Sequence, residues 1–355
     1  MRIAQLAPLF ESVPPEGYGG TERVVSYLSD ALQANGHSVT LFASADSRTA
    51  AELCAGAPRA LRLDPHRGDA VAMHLVMLER AFDRAAEFDV IHAHLDYLSF
   101  PMARRCEVPV VTTLHGRLDL PWLAPVFREF TEQRVVSISA AQRRPLPDAN
   151  WVGTVHHGLP RDLYHFHPDP HGYLAFIGRI SSEKRVDRAI EIAVRAGVPL
   201  RIAAKVDPSD EEYFRANVAP LLDHPLVDYV GELDDARKDD FIGNADALLF
   251  PIDWPEPFGL AMIEALACGT PVIAWPRGSV PEVLENGVSG WIVGDIASAV
   301  RAVGAIGRID RRRCRAEFEA RFTAKRMAAD YTEIYAAAIC NRGSAGSEPA
   351  VRCTA

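Results

Sequence analysis

Residues 253–275, DWPEPFGLAMIEALACGTPVIAW, read as a turn, a short helix and a strand, and their reading decides the architecture of the chain. From Phe258 to Gly269 every residue is apolar or small except Glu264. A carboxylate inside an otherwise apolar helix is costly to bury unless another group pairs with it, and no basic residue lies within a turn on either side. Its partner therefore has to come from elsewhere in the fold. Glu256 stands just ahead of the helix, where Pro257 and Gly259 set a sharp turn that leaves the first helical N–H groups unpaired. Such a terminus attracts anions, phosphate above all. Two carboxylates eight residues apart, one at the mouth and one on the wall of an anion site, suit a ligand with phosphate in its middle and hydroxyl-bearing rings at both ends. A nucleotide sugar has that form.

The chain has 355 residues, more than one typical domain, so two domains are expected. Hydrophobic residues at 48% and charged residues at 24% are ordinary for a globular protein. The net charge of −9 argues against nucleic acid as the main partner. The six cysteines, at 54, 106, 268, 314, 340 and 353, show no CxxC pair and no zinc spacing. They read as reduced thiols, in keeping with a cytoplasmic protein. Met1-Arg2 leads straight into a strand, so no signal peptide is expected. No run reaches the roughly 18 apolar residues needed to span a bilayer, which limits any membrane contact to a peripheral one. Only four of the 38 basic residues are lysine, so a lysine at a motif position carries information.

Short apolar strands are expected at 2–8, 38–44, 89–95, 109–114 and 135–140, with another near 152–156, separated by helices or loops. That alternation implies a parallel sheet with helices on both faces and ligands at the strands' carboxyl ends. Behind the first strand lies PPEGYGG, in which Gly19 and Gly20 permit close backbone approach to a ligand and Thr21 can cap a helix of about 21–35. The loop lacks GxGxxG spacing, which disfavours NAD. At the strand ends lie His94 with Asp96, His115, and Ser137 with Ser139. His92 and His94 read as strand-end residues rather than a metal pair, since no further ligand set is visible. His115, before a glycine, should be exposed at the sheet edge. Asp96 is a candidate to orient an acceptor hydroxyl. The segment from Arg117 to Arg134, with Trp122, Phe127 and Phe130, either shapes an acceptor side or is ordinary packing. Arg143 and Arg144 read as a solvated face or an anion contact. Residues 156–173, HHGLPRDLYHFHPDPHGY, read as an interdomain connection whose five histidines are solvated.

The motif stretch EPFGLAMIEALACGTPVIA resembles the ExxxxxxxE segment of family 4 of the retaining glycosyltransferases, which have the GT-B fold. GGTERVV with GHSVTLFAS resembles the family's first βαβ unit, and RGSVPEVLENGVSGWIVGD its PE and NGxxG region. GRISSEKRVDRAIEIA, with a lysine opening its helix, resembles the donor-phosphate element, Arg179 and Lys184 matching its basic pair. The resemblance implies an α/β chain of two doubly wound Rossmann-like domains facing a central cleft. Residues 1–165 would form the acceptor-side domain and 170–322 the donor-binding domain. The last helix, about 323–341, would pack back on the first domain, ahead of a disordered tail at 343–355.

The implied activity is transfer of a sugar, with retention, from an α-linked nucleoside-diphosphate sugar to an acceptor hydroxyl. Arg179 and Lys184 would hold the diphosphate, and Glu264 the ribose. Glu256 with the Phe258, Gly259 and Leu260 backbone would hold the sugar, His115 would lie beside it, and Gly19 and Gly20 would face the phosphates. Relatives hold the base near the position of Gly231. They also carry a glycine-rich turn where this chain has Ala203, Ala204, Lys205, Val206 and Asp207, which leaves the donor's identity open and makes Lys205 a phosphate or sugar contact. Asp96 and Arg117 stand on the acceptor side. Glu282 either orients the donor loop or caps a short helix. No two aspartates stand two apart, so the DxD of metal-dependent glycosyltransferases is missing, and no metal or other cofactor is expected. Two rivals share these features: an epimerase or phosphorylase on the same fold, and a non-enzymatic nucleotide-sugar-binding protein.

Overall fold

A computed structural model describes residues 1–17, 19–64 and 68–345. Its strands are β1 (Arg2–Leu6), β2 (Ser38–Ser44), β3 (Glu52–Ala57), β4 (Val90–Ala93), β5 (Val110–Thr113), β6 (Arg134–Ser137) and β7 (Trp151–Thr154) in the first half. In the second half they are β8 (Leu174–Arg179), β9 (Leu200–Lys205), β10 (Val227–Gly231), β11 (Ala247–Phe250), β12 (Val272–Ala274) and β13 (Gly290–Ile292). They form a seven-stranded sheet in the order β3-β2-β1-β4-β5-β6-β7 and a six-stranded sheet in the order β10-β9-β8-β11-β12-β13. Every pairing is parallel. Central strands such as VVTT of β5 and ALLF of β11 are buried throughout. Helices on both faces of a parallel sheet demand such continuous burial.

Strand β3 has no counterpart in the sequence reading. Its ELCAGA lacks β-branched and aromatic residues and sits half-exposed at a sheet edge, so neither composition nor alternation marks it. The strands expected at 2–8, 38–44, 89–95, 109–114, 135–140 and near 152–156 are each found to within a few residues, as β1, β2, β4, β5, β6 and β7, whereas β11 has no counterpart in the reading either. The opening helix is Gly20–Ala34, and its N-cap is Gly19 rather than Thr21, which lies inside the first turn.

In both sheets the strand order reverses beside the first strand, between β1 and β4 and between β8 and β11. Crevices open at such reversals, outside the strands' carboxyl ends. The terminal helix, Ala324–Ala345, crosses from the second half and packs on the opening helix and on β4 and β5. It continues through 343–345, where the sequence leads one to expect a disordered tail; the rest of that tail, 346–355 with Cys353, lies outside the described residues. The outgoing and returning chains run side by side. Leu159 N donates to Phe322 O at 2.9 Å and Ala324 N to Leu159 O at 2.7 Å. Gly158 is required there, because a Cβ would run into the Thr323 carbonyl.

Candidate active site

The carboxyl ends of β1 and β4 face those of β8 and β11 across a cavity of about 590 Å³, lined from both halves. On the second wall stands the motif helix, Leu260–Cys268. Gly259 enters it at φ +84°, a backbone conformation strained for any residue with a Cβ, so glycine suits the turn. No side chain caps this helix start, and Phe258, Gly259 and Leu260 line the cavity.

Glu264 is 4% exposed, and the partners its burial requires are Lys238 Nζ and the Tyr164 hydroxyl, each 3.4 Å from Oε1. The sequence reading named neither. Lys238 belongs to the helix Asp235–Gly243, and Tyr164 to the connection between the halves. The scarcity of lysine was a signal that would have found the first: Lys184, Lys205 and Lys238 all line the cavity, and the fourth, Lys325, does not.

Glu256 accepts from Lys184 Nζ and, at 3.0 Å, from Trp254 Nε1. The ammonium also lies 5.1 Å from the Trp254 ring centre and 5.5 Å from that of Phe250. Lys184 does not open the next helix as expected; that helix begins at Val186, after Arg185 in a left-handed turn at φ +56°. Arg179 stands among Glu183 at 3.4 Å, Asp207 at 3.7 Å and Asp210 at 3.3 Å, and Lys205 pairs with Asp207 at 3.2 Å. The basic residues of this wall are thus each paired with carboxylates, of which Glu183 also lines the cavity. Gly231 turns at φ +76° at the end of β10; the residues there that line the cavity are Glu232 and Leu233.

On the first wall, Gly19 and Gly20 line the cavity, and a Cβ on Gly20 would come within 3.7 Å of Leu260 across the cleft. His115 lines it too, but it is partly buried rather than exposed, bonded through Nε2 to His94 Nδ1 at 2.8 Å. Its ring stacks on His157 at 5.3 Å, and His157 meets the edge of Phe258 at 4.9 Å. The expectation of solvated histidines in the connection is therefore corrected: His157 is 4% exposed and reaches the cavity. His167 is half-buried and, like His165, pairs with Asp239. Burial lowers the His115 imidazole to about 3, so it is neutral at neutral pH. Asp96, at φ +49° past the end of β4, opens on the cavity; the surrounding walls desolvate its carboxyl and raise it to about 6.

Arg117 does not line the cavity. It bonds Asp119 at 2.8 Å and, across the halves, Glu183 at 3.2 Å. Phe127 and Phe130 pack with Phe100 in a small satellite core, while Trp122 stays 60% exposed, so this segment is packing rather than a cavity wall. Arg143 is not free either: it lies on the Trp151 ring at 5.1 Å and donates to Gly153 O. Ser137 bonds Thr154, and Ser139 accepts from Gln142 N. Glu282 caps a short helical turn, but one in the other half, accepting from Ala140 N and Ala141 N at 2.7 Å each. Among the described residues no three His, Cys, Asp or Glu side chains form a metal-holding group, and no helix is long and apolar enough to cross a membrane.

The same architecture recurs in sucrose-phosphate synthase from Thermosynechococcus elongatus, with a TM-score of 0.78, 19% identity, and 96% of this chain and 99% of the other covered. It recurs in Anabaena HepE, solved with UDP and glucose, at a TM-score of 0.73 and 16% identity, covering 95% of this chain and all of that one. The fold is therefore that of the GT-B glycosyltransferases. A family model described as Glycosyltransferase Family 4 matches residues 18–149, and one described as Glycosyl transferases group 1 matches 165–309. The chain belongs to glycosyltransferase family 4, and it is an enzyme of glycosyl transfer. It is similar to the phosphatidyl-myo-inositol mannosyltransferase of Mycobacterium leprae, 29% identical over 343 residues, spanning 87% of this chain and 88% of that protein.

Proposed function

We propose that this glycosyltransferase moves a sugar from an α-linked nucleoside-diphosphate sugar to an acceptor hydroxyl, with retention of configuration and without a divalent metal. The observation that carries the reading is the convergence of Arg179, Lys184, Lys205 and an uncapped helix start on one cavity wall that also carries Glu256 and Glu264. A diphosphate brings about two negative charges, and this wall supplies the groups that bind them. HepE, which shares the fold, holds UDP and glucose.

In this reading Arg179, Lys184 and the start of the motif helix grip the diphosphate, and Glu264, braced by Lys238, accepts from the ribose hydroxyls. Glu256 and the backbone at 258–260 hold the sugar under His115, with Gly19 and Gly20 closing over the phosphates. Lys205 and the Gly231 turn border the donor, and Asp96 receives the acceptor hydroxyl. As the glycosidic bond breaks, charge builds on the leaving phosphate. Fixed cations and helix N–H groups then bind it more strongly than in the ground state, which lowers the barrier.

Glu264→Gln should weaken donor binding roughly tenfold, since an amide cannot accept from two vicinal hydroxyls as a carboxylate does. Calorimetry with the nucleoside diphosphate reads this, and unchanged affinity would remove Glu264 from the donor site. The test of the whole reading is transfer from UDP-, GDP-, ADP- and dTDP-sugars by metal-stripped enzyme in excess EDTA, with the product's anomeric configuration read by NMR. Full activity and an α-linked product are expected. Activity that returns only with magnesium or manganese, or a β-linked product, would overturn it.

A further inference from the structure

Strand β4 places His92 and His94 on one face of the first sheet, two residues apart, with ring centres at 4.0 Å, and both are buried. A neutral imidazole has one N–H donor and one lone pair, so each buried ring needs one partner of each kind. Gln5, from the neighbouring β1, bonds His94 Nε2 through Oε1 at 2.8 Å, and its amide nitrogen donates to the Tyr335 hydroxyl at 3.3 Å. Tyr335 comes from the terminal helix and also meets His92 Nδ1 at 2.6 Å. His92 Nε2 bonds Thr113 Oγ1 at 2.7 Å, and Thr113 bonds the Tyr331 hydroxyl at 2.8 Å.

This chain of bonds can be ordered in two senses. If Gln5 presents oxygen to His94, then His94 carries its proton on Nε2 and its Nδ1 accepts from His115 Nε2–H. If the amide is reversed, His115 carries its proton on Nδ1. The buried His115 Nδ1 has no hydrogen-bond partner. An unpaired buried N–H is more costly than an unpaired lone pair, which selects the first order. Burial keeps the four rings His92, His94, His115 and His157 neutral, so none escapes the choice by taking a second proton.

We propose that Gln5, His94 and Tyr335 are positioning residues that hold His115 in one orientation and as its Nε2–H tautomer for glycosyl transfer. The inference rests on the reading of His115 as lying beside the transferred sugar. Its consequence is that the terminal helix, which belongs by sequence to the second half, helps set the reactive geometry of the first.

The test uses full-length enzyme labelled with 15N-histidine, Gln5→Leu, Gln5→Glu and Tyr335→Phe variants, and kinetics beside NMR. In the wild type, His115 should show a protonated Nε2 and a bare Nδ1. Gln5→Leu removes the oxygen facing His94 and should mix the tautomers, lowering kcat by roughly tenfold or more with donor KM and nucleotide affinity unchanged. Gln5→Glu keeps an oxygen toward His94 and should restore the tautomer and most of kcat. Tyr335→Phe frees the Gln5 amide to reverse, and gives a second reading should Gln5→Leu fold poorly. A His115 tautomer and kcat indifferent to Gln5→Leu and Tyr335→Phe would overturn the proposal, as would a loss shared equally by kcat and nucleotide affinity. A fully active His115→Ala would instead remove the reading beneath it, while the tautomer measurement would still decide the relay.

Discussion

Lys184→Ala should lower transfer by roughly 10²–10³-fold, the range found when one group that stabilises developing charge is removed. The loss has two sources. The side chain, 16% exposed, contributes the cation nearest Glu256, whose own side chain is 9% exposed. Deleting it removes positive charge from the leaving phosphate and also leaves the Glu256 carboxylate facing that phosphate without a counter-charge, in a cleft where screening is weak. Lys184→Arg should recover only part of the rate, because a planar fork does not fit the point where a compact ammonium meets both Glu256 and the Trp254 ring. Lys325→Ala, on the exposed side of the terminal helix, serves as the control and should leave turnover unchanged. Steady-state kinetics with a fixed acceptor reads all three, and a Lys184→Ala enzyme within threefold of wild type would exclude this lysine from the reaction.

His115→Ala should reduce kcat about a hundredfold while the affinity for free nucleoside diphosphate stays within about twofold. The ring is fixed from two sides, by the His94 bond and by the stacked His157, so it acts as part of the wall rather than as a mobile acid. With its pKa pushed down to about 3 by burial, it gains no proton anywhere between pH 5 and 9. The wild-type pH–rate profile should therefore show no inflection from this residue in that range, and an acid limb that disappears in His115→Ala would contradict the assignment. Equal losses in turnover and nucleotide affinity would reduce His115 to a shape-forming residue.

The motif stretch was readable because its signals are local. Pro257, Gly259 and the lone Glu264 define a turn, an uncapped helix and a buried charge within a dozen residues, and the structure realises all three. What escaped depends on contacts between distant segments. Glu264 announced that it needed a partner but carried no information that the partner would be Lys238, 26 residues earlier, with Tyr164 a hundred residues earlier. His157 looked solvated because its neighbours are Pro, Gly and His, yet it is held between His115 and Phe258 by the way the two halves meet. Capping is one of the two readings open for Glu282, but nothing near it in sequence shows that the turn it caps lies 141 residues away. Edge strand β3 failed for the opposite reason: the sheet recruits it through backbone bonds to β2, which impose no side-chain pattern.

The paired crossings at Leu159 and Phe322–Ala324 have a mechanical meaning. A single tether would let one half swivel freely about the chain axis. Two strands of chain, bonded edge to edge, stiffen that rotation and leave bending across the pair as the easier motion. The second half is, topologically, an insert: the chain leaves the first half, builds the second wall of the cavity and returns to finish the first half with its last helix. Residues between the two crossings could accordingly be exchanged as one cassette with the second half of a relative, both joints falling at adjacent points in space. A single cut between them passes through neither crossing; it puts the terminal helix on a separate fragment, joined to the first half by its packing on the opening helix, β4 and β5 and by the bonds at Leu159.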